Sequence, residues 1–259
     1  MISSVRGFFR SGSPSFENEK ERLKELKDKK FLKQLETLKQ RLAPLFRSDP
    51  SQVNGKYVND SHFHDDRSLR RFLVAAGDLE TAYENVLRYN HWRQTMAVDT
   101  LSPTDPDILE LIALGFVHSL RIKDAMGRPV LYVIARKHFA GNRDLDKMQK
   151  FIVYMLEMTI KRMEEHVNDS ICLVFDLLNF SLANMDYPFV KKLVWLLTKY
   201  YPERLGICII YNAPVLFQGC WPVIRHWLNE KTGSKVVFVN SKEAMSEYLE
   251  VDGLPPPDM

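Results

Sequence analysis

The second half of the chain alternates short, almost wholly apolar runs with longer amphipathic ones, and this pattern restricts the fold more than any other. ICLVF at 171–175, GICIIY at 206–211 and KVVFV at 235–239 are strand-length runs with no polar face. Strands buried on both sides read this way, and they belong to mostly parallel sheets covered by helices. Helix-length stretches separate them, at about 189–200 and 215–229, and KEAMSEYL follows the last at 242–249. Upstream, FVHSLRIKDAMGRPVLYVIARKHF reads as two strands around a turn at Asp124–Gly127, with Phe116, His118, Leu120 and Ile122 alternating against Val117, Ser119 and Arg121. Residues 145–166 return to helical spacing, with Met148, Ile152, Met155, Leu156, Thr159 and Met163 on one side.

The first half has a different period. DDRSLRRFLVAAG reads as a helix with Asp65 or Asp66 as N-cap and Gly77 as its stop, and DLETAYENVLRYNHWRQTM as a second, with Ala82, Val86, Leu87, Tyr89 and Trp92 on one face. Lys20–Arg41 is a basic amphipathic helix whose leucines, Leu23, Leu26, Leu35, Leu38 and Leu42, form a docking stripe. Residues 47–61, with Pro50, Asn54, Gly55 and Asn59, form a loop. The expected organisation is a flexible leader at 1–15, a helical region at 16–113 and an α/β lobe at 114–259.

Composition excludes several classes. A net charge of +3 in 259 residues gives no general field for nucleic acid, although a mild attraction to anionic membrane surface remains. Cys172, Cys208 and Cys220 are odd in number and lie in apolar runs, which fits a reducing compartment rather than a disulfide framework. No run reaches the ~18 apolar residues of a membrane span. G-x-S-x-G, G-x-x-x-x-G-K-[ST] and G-x-G-x-x-G are all absent, so no hydrolase elbow or nucleotide cradle is present in the sequence. His62, His64, Asp65 and Asp66 stand at a loop-to-helix junction, where helix capping explains them better than metal ligation. No catalytic centre and no cofactor are expected.

YYPERLGICIIYNAP at 200–214, joined to FDLLNFS upstream and TGSKVVFV downstream, resembles the CRAL-TRIO lipid-binding family, most closely its phosphatidylinositol-transfer branch. LRRFLVAAGDLETAYENVLRYNHWR resembles that family's N-terminal helices. The resemblance implies an α/β fold: a helical subdomain, then a CRAL-TRIO lobe whose mostly parallel, helix-covered sheet encloses an apolar lipid pocket. It implies headgroup contacts from the carboxylate of YPER, Glu203, and from Lys235 before the last strand, with Thr232 beside the lysine. Arg71 is a further candidate contact, with an exposed helix arginine as the alternative. Neighbouring inositol hydroxyls suit a carboxylate acceptor, and an ammonium donates to hydroxyl or phosphate oxygens.

By the same resemblance PVLFQGCWPVIRHWLNE carries the mobile gate helix, with Leu216, Phe217, Trp221, Ile224, Trp227 and Leu228 as its apolar load and Gly219 and Pro222 as points of flexure. The pocket would be lined from the helix by Met148, Ile152 and Met155. The strands would supply Leu131, Val133, Ile171, Leu173, Phe175 and Ile209. Each lining residue is equally an ordinary core residue. Two departures bear on cargo: Ile171 and Leu173 stand where choline-lipid carriers place a hydroxyl pair, and Val74–Gly77 replace the family's basic residues after R-F-L. The implied protein is a non-enzymatic, cytoplasmic, peripherally membrane-associated carrier that transfers phosphatidylinositol or presents it to lipid kinases. Alternatives are a sterol or other isoprenoid carrier, or an interaction module anchored by the basic helix.

Overall fold

The computed structural model describes residues 29–45, 66–164 and 168–256. The leader at 1–15, the loop at 47–61, and His62, His64 and Asp65 lie outside them. The described chain forms two compact units: a helical one from residues up to Leu101 together with Leu196–Arg204, and an α/β one from Ser102–Trp195 and Leu205 onward.

The helical unit is built on α1 (Lys29–Leu42), α2 (Asp66–Ala76) and α3 (Leu79–Thr95). Gly77 takes φ +79° and donates its amide to the Leu73 carbonyl at 3.0 Å, which closes α2 in a left-handed turn that only glycine adopts freely. Asp78 then caps α3, its Oδ1 accepting the Thr81 amide at 2.9 Å, and this bond holds the Asp78 carboxyl below the usual range. The leucine stripe of α1 is spent here: Leu35, Leu38 and Leu42 are buried with Leu69, Phe72, Leu73, Ala82 and Val86. These three serve packing, and Leu23 and Leu26 of the same stripe lie outside the described residues. Trp92 stacks on Tyr200 at 4.0 Å and meets the edge of Tyr201, which ties the segment at 196–204 to α3.

The α/β unit runs α4 (Pro106–Ala113), β1 (Val117–Lys123), β2 (Pro129–Ile134), α5 (Leu145–Ile160), β3 (Ile171–Asp176), α6 (Tyr187–Tyr200, whose last turn belongs to the helical unit), β4 (Leu205–Tyr211), α7 (Phe217–Trp227), α8 (Glu230–Gly233), β5 (Val236–Val239) and α9 (Lys242–Ser246). The strands lie in sequence order, β1 antiparallel to β2 and the rest parallel. The hairpin and the parallel run stand where the periodicity places them; the helix expected at 145–166 ends at Ile160, short of Met163, and the short α8 was not expected. Helix α4, capped by Asp105 with Pro106 in its first turn, was not separately resolved in the sequence pattern.

Between Ile171 and Cys172 the register against β4 slips by one residue, and Gly206 occupies the slack. A β-carbon at Gly206 would lie 2.6 Å from the Cδ and Nη1 of Arg128 and 2.7 Å from Ser170 Oγ. Arg128 cannot retreat easily, because it is buried and its Nε donates to the buried Asp124 at 2.6 Å.

The sheet has one closed face. Val130, Cys172, Val174 and Ile209 are fully buried there in a cluster that includes Tyr132, Val237, Met245 and Leu249. Ile209→Ala is expected to cost about 2–5 kcal/mol, as for a large-to-small change in a close-packed core, measured by urea unfolding. Gly206→Ala, by prising Arg128 from Asp124, is expected to cost roughly 3 kcal/mol in the same measurement.

Candidate functional site

The opposite face of the sheet is covered unevenly. Strand alternation places Leu131, Val133, Ile171, Leu173 and Phe175 on it, and the register lines them up in rows: Leu131–Leu173–Cys208–Val236 and Val133–Phe175–Ile210–Phe238. Helix α5 packs on this face over β1 and β2, with Thr159 Oγ1 donating to Ser119 Oγ at 3.1 Å and Ser119 paired with Leu131. It buries Met148, Phe151, Ile152, Met155 and Leu156. At the far edge α7 covers β5, with Phe217 and Trp221 against Phe238 at ring distances of 6.5 and 5.1 Å.

Within the second row Val133, Phe175 and Phe238 are only half-buried, whereas Tyr132, Val174, Ile209 and Val237 in the adjacent row on the closed face are buried. Helix α6 repeats the pattern: Phe189, Val190, Leu193, Val194 and Leu197 are half-buried, and among its residues only Leu196 and Tyr200 are buried. The α5 and α7 side of the sheet is thus an apolar lane whose cover is incomplete at Val133, Phe175 and Phe238, whereas Leu131, Leu173, Cys208, Ile210 and Val236 are buried. Eight of the nine lining candidates, Leu131, Val133, Met148, Ile152, Met155, Ile171, Leu173 and Phe175, belong to this side. Ile209 does not: it is fully buried on the closed face, since a period of two sends it opposite to Cys208 and Ile210.

The gate-helix candidates form a seated helix. Phe217 and Ile224 are buried, Trp221, Trp227 and Leu228 are half-buried, and Leu216 is exposed just before the first turn. Aromatic contacts hold both ends, Phe180 against Phe217 at 5.7 Å and Tyr187 against Trp227 at 6.0 Å. The Tyr187 hydroxyl also bonds to the Cys220 thiol, which raises the tyrosine pKa. Pro222 lies inside the helix, and a β-carbon at Gly219 would meet nothing. Tyr187, Phe180 and Phe238 were not anticipated; each sits beside an element boundary, where periodicity carries little information.

The headgroup candidates fall in both units and are described in turn. Lys235 is half-buried ahead of β5, its Nζ donating to the Leu205 carbonyl at 2.6 Å and its amide to Thr232 O at 3.2 Å. Thr232, half-buried in α8, receives the Asn229 side-chain cap on its amide at 2.7 Å. In the helical unit, Tyr200, Tyr201, Pro202 and Arg204 are all buried, so most of YYPER is packing; Glu203 is half-buried. Glu203 also has φ +58°, a conformation that costs a non-glycine residue of order 1 kcal/mol and that recurs at functional positions. Arg71 is buried, its Nη2 donating to Ser68 Oγ at 2.6 Å, so the alternative of an exposed helix arginine does not hold.

All three cysteines are free and buried, and burial pushes the Cys208 thiol up to about 12, which keeps it protonated at neutral pH. Among the described residues no cluster of His, Cys, Asp and Glu could hold a metal, and no helix is long and apolar enough to cross a membrane.

Known proteins share this arrangement. Residues 115–256 match the CRAL/TRIO domain. A CRAL-TRIO domain-containing protein of Schizosaccharomyces pombe is 32% identical over 199 residues, covering 73% of this chain and 44% of that protein. The phosphatidylinositol transfer protein CSR1 of Eremothecium gossypii is 31% identical over 148 residues, covering 57% of this chain and 34% of its own. The chain therefore spans less than half the length of these two relatives. The crystal structure of Sfh5 superposes with a TM-score of 0.67 at 17% identity, covering 86% of this chain and 85% of the other, which establishes a shared fold. The match over most of the sheet lobe, together with the one closed and one half-covered sheet face, places the chain in the CRAL/TRIO domain family of lipid-binding and transfer proteins.

Proposed function

We propose that this protein carries phosphatidylinositol in the apolar lane between α5 and α7 and exchanges it at membranes by displacement of α7. The carrying observation is the contrast between the two sheet faces: Val133, Phe175 and Phe238 are half-buried on the side under α5 and α7, and an apolar cargo there would complete their cover. Burying about thirty methylenes at ~0.8 kcal/mol each is worth of order 20 kcal/mol, so release into water is excluded and exchange needs direct membrane contact.

Support for such contact comes from the ends of the parallel strands. Ile134, Asp176, Tyr211 and Val239 align in one row, so the loops that follow them leave one edge of the sheet. A few residues beyond that row stand Phe139, Leu182, Val215 and Leu216, with exposures of 52%, 62%, 78% and 44%. The loops are braced. Asn184 Nδ2 donates to the Arg136 and His138 carbonyls, and Arg143 grips the buried Asp186 through two bonds of 2.6 and 2.8 Å. Burial alone would raise the Asp186 carboxyl, but Arg143, the Phe189 amide and His138 outweigh it and hold it below the usual range. Segments 135–143, 177–185 and 212–224 contain no carboxylate, and the charges of Arg136 and Arg143 are answered by Asp176 and Asp186. A braced rim with exposed apolar side chains suits contact with a bilayer surface.

The headgroup reading assigns the hydroxyl acceptor to Glu203 and the donor to Lys235 with Thr232, and it rests on their positions in the family pattern. It is supported by the name of the relative CSR1, a phosphatidylinositol transfer protein, and by the backbone conformation kept at Glu203. A neutral isoprenoid cargo is the second reading, favoured by Ile171 and Leu173, which offer no hydroxyl. Presentation of the lipid to kinases in a reducing, cytoplasmic setting would follow from the first.

Mass spectrometry of lipid extracted from the purified protein is expected to find phosphatidylinositol; a lone isoprenoid selects the second reading. Glu203→Gln and Lys235→Met, each tested alone, are expected to lower phosphatidylinositol transfer between vesicles by about tenfold or more, Glu203→Gln with unchanged thermal unfolding and Lys235→Met with a small loss of stability from its lost bond to the Leu205 carbonyl. Leu182→Ser with Val215→Ser is expected to weaken vesicle co-flotation by about tenfold or more, at 1.5–3 kcal/mol per buried side chain, while the bound lipid is retained.

A further inference from the structure

Arg225 lies on α7, close to the segment that carries Thr232 and Lys235. It is half-buried, and its Nη1 donates to the Leu228 carbonyl at 3.1 Å. Its guanidinium rests on Gly233: a β-carbon there would lie 2.5 Å from Cζ and 2.8 Å from both Nη atoms. Gly233 has no left-handed backbone that would demand glycine, so the absent side chain serves to seat the arginine. Among the described residues no carboxylate pairs with Arg225, and Glu230, the carboxylate nearest along the chain, is exposed at the start of α8. One of its five N–H groups is used. None of its nitrogens is both buried and unpaired, so the remaining N–H groups face solvent and are open to an anion.

We propose that Arg225 binds the phosphate oxyanion of the cargo lipid, so that the helix that must move is itself fastened by the cargo. The proposal rests on the phospholipid reading above and extends it. A planar guanidinium presents two parallel N–H donors that match two phosphate oxygens, which a lysine ammonium does not. The chemistry required is a phosphate monoanion flanked by hydroxyls, met by Arg225 from α7 and by Lys235 from the strand approach. A phosphodiester cargo closes this contact and holds α7 down. A neutral lipid of the same chain length leaves the fork empty and α7 less firmly held, so charge on the cargo selects what the protein retains.

Loading is measured by incubating the full chain with vesicles that contain pyrene-labelled phosphatidylinositol or pyrene-labelled diacylglycerol, which has the same chains and no phosphate. Arg225→Met is expected to lower phosphatidylinositol loading by about tenfold to a hundredfold, the range spanned by charge-assisted hydrogen bonds. Diacylglycerol loading is expected to stay as in the wild type. Gly233→Ala, which displaces the guanidinium, should behave like Arg225→Met, and Arg225→Lys should recover part of the loss. Excess sodium phosphate should leave phosphatidylinositol loading intact; its displacement of the lipid would assign the fork to free phosphate and overturn the proposal. Arg225→Met that loads phosphatidylinositol like the wild type, loses both lipids equally, or matches Arg225→Lys would also overturn it. A wild-type protein that loads neither lipid removes the carrier reading itself, whereas a loading wild type with an indifferent Arg225→Met removes this assignment alone.

Discussion

The parallel register of β2 through β5 is the constraint from which the rest follows. It brings Val133, Phe175, Ile210 and Phe238 into one row and Tyr132, Val174, Ile209 and Val237 into the adjacent one on the opposite face. Because successive side chains alternate, the same hydrogen bonds that build the sheet sort its residues into two populations. One is closed off with the help of Met245 and Leu249. The other lies under α5 and α7, and Val133, Phe175 and Phe238 on it are only half-buried. The same alignment brings the loops after β2, β3 and β4 to one edge.

Much of this was legible in the sequence, because apolar runs of strand length with helices between them admit few arrangements. The hairpin at 117–134, the three later strands and the longer helices that join them follow from periodicity alone. The side assigned to Ile209 did not follow, because in GICIIY every residue is apolar and nothing marks which ones alternate inward. That strand needs its partners' register before a face can be assigned. The leucines of α1 were legible as a stripe, but what they cover depends on Leu69, Phe72 and Leu73, which lie far along the chain.

Sequence motifs and structural roles divide unevenly. YYPER reads as one functional signature, yet four of its five residues are buried, and Tyr200 and Tyr201 pack on Trp92. Packing therefore accounts for most of the block, and Glu203 is its one half-buried residue. Arg225 shows the opposite case. It belongs to no motif, and a surface helix arginine looks alike in sequence whether or not a carboxylate answers it. Its interest comes from Gly233, eight residues away, whose missing side chain makes sense only once both are placed.

Pro222 sits at the sixth position of α7 and has no amide hydrogen, so the carbonyl of Gln218 loses the partner it would have one turn on. The amides of residues 223, 224 and 225 still bond back across the joint, so Pro222 marks the weakest rung of one continuous helix, and Phe217 and Trp227 pin that helix on either side of it.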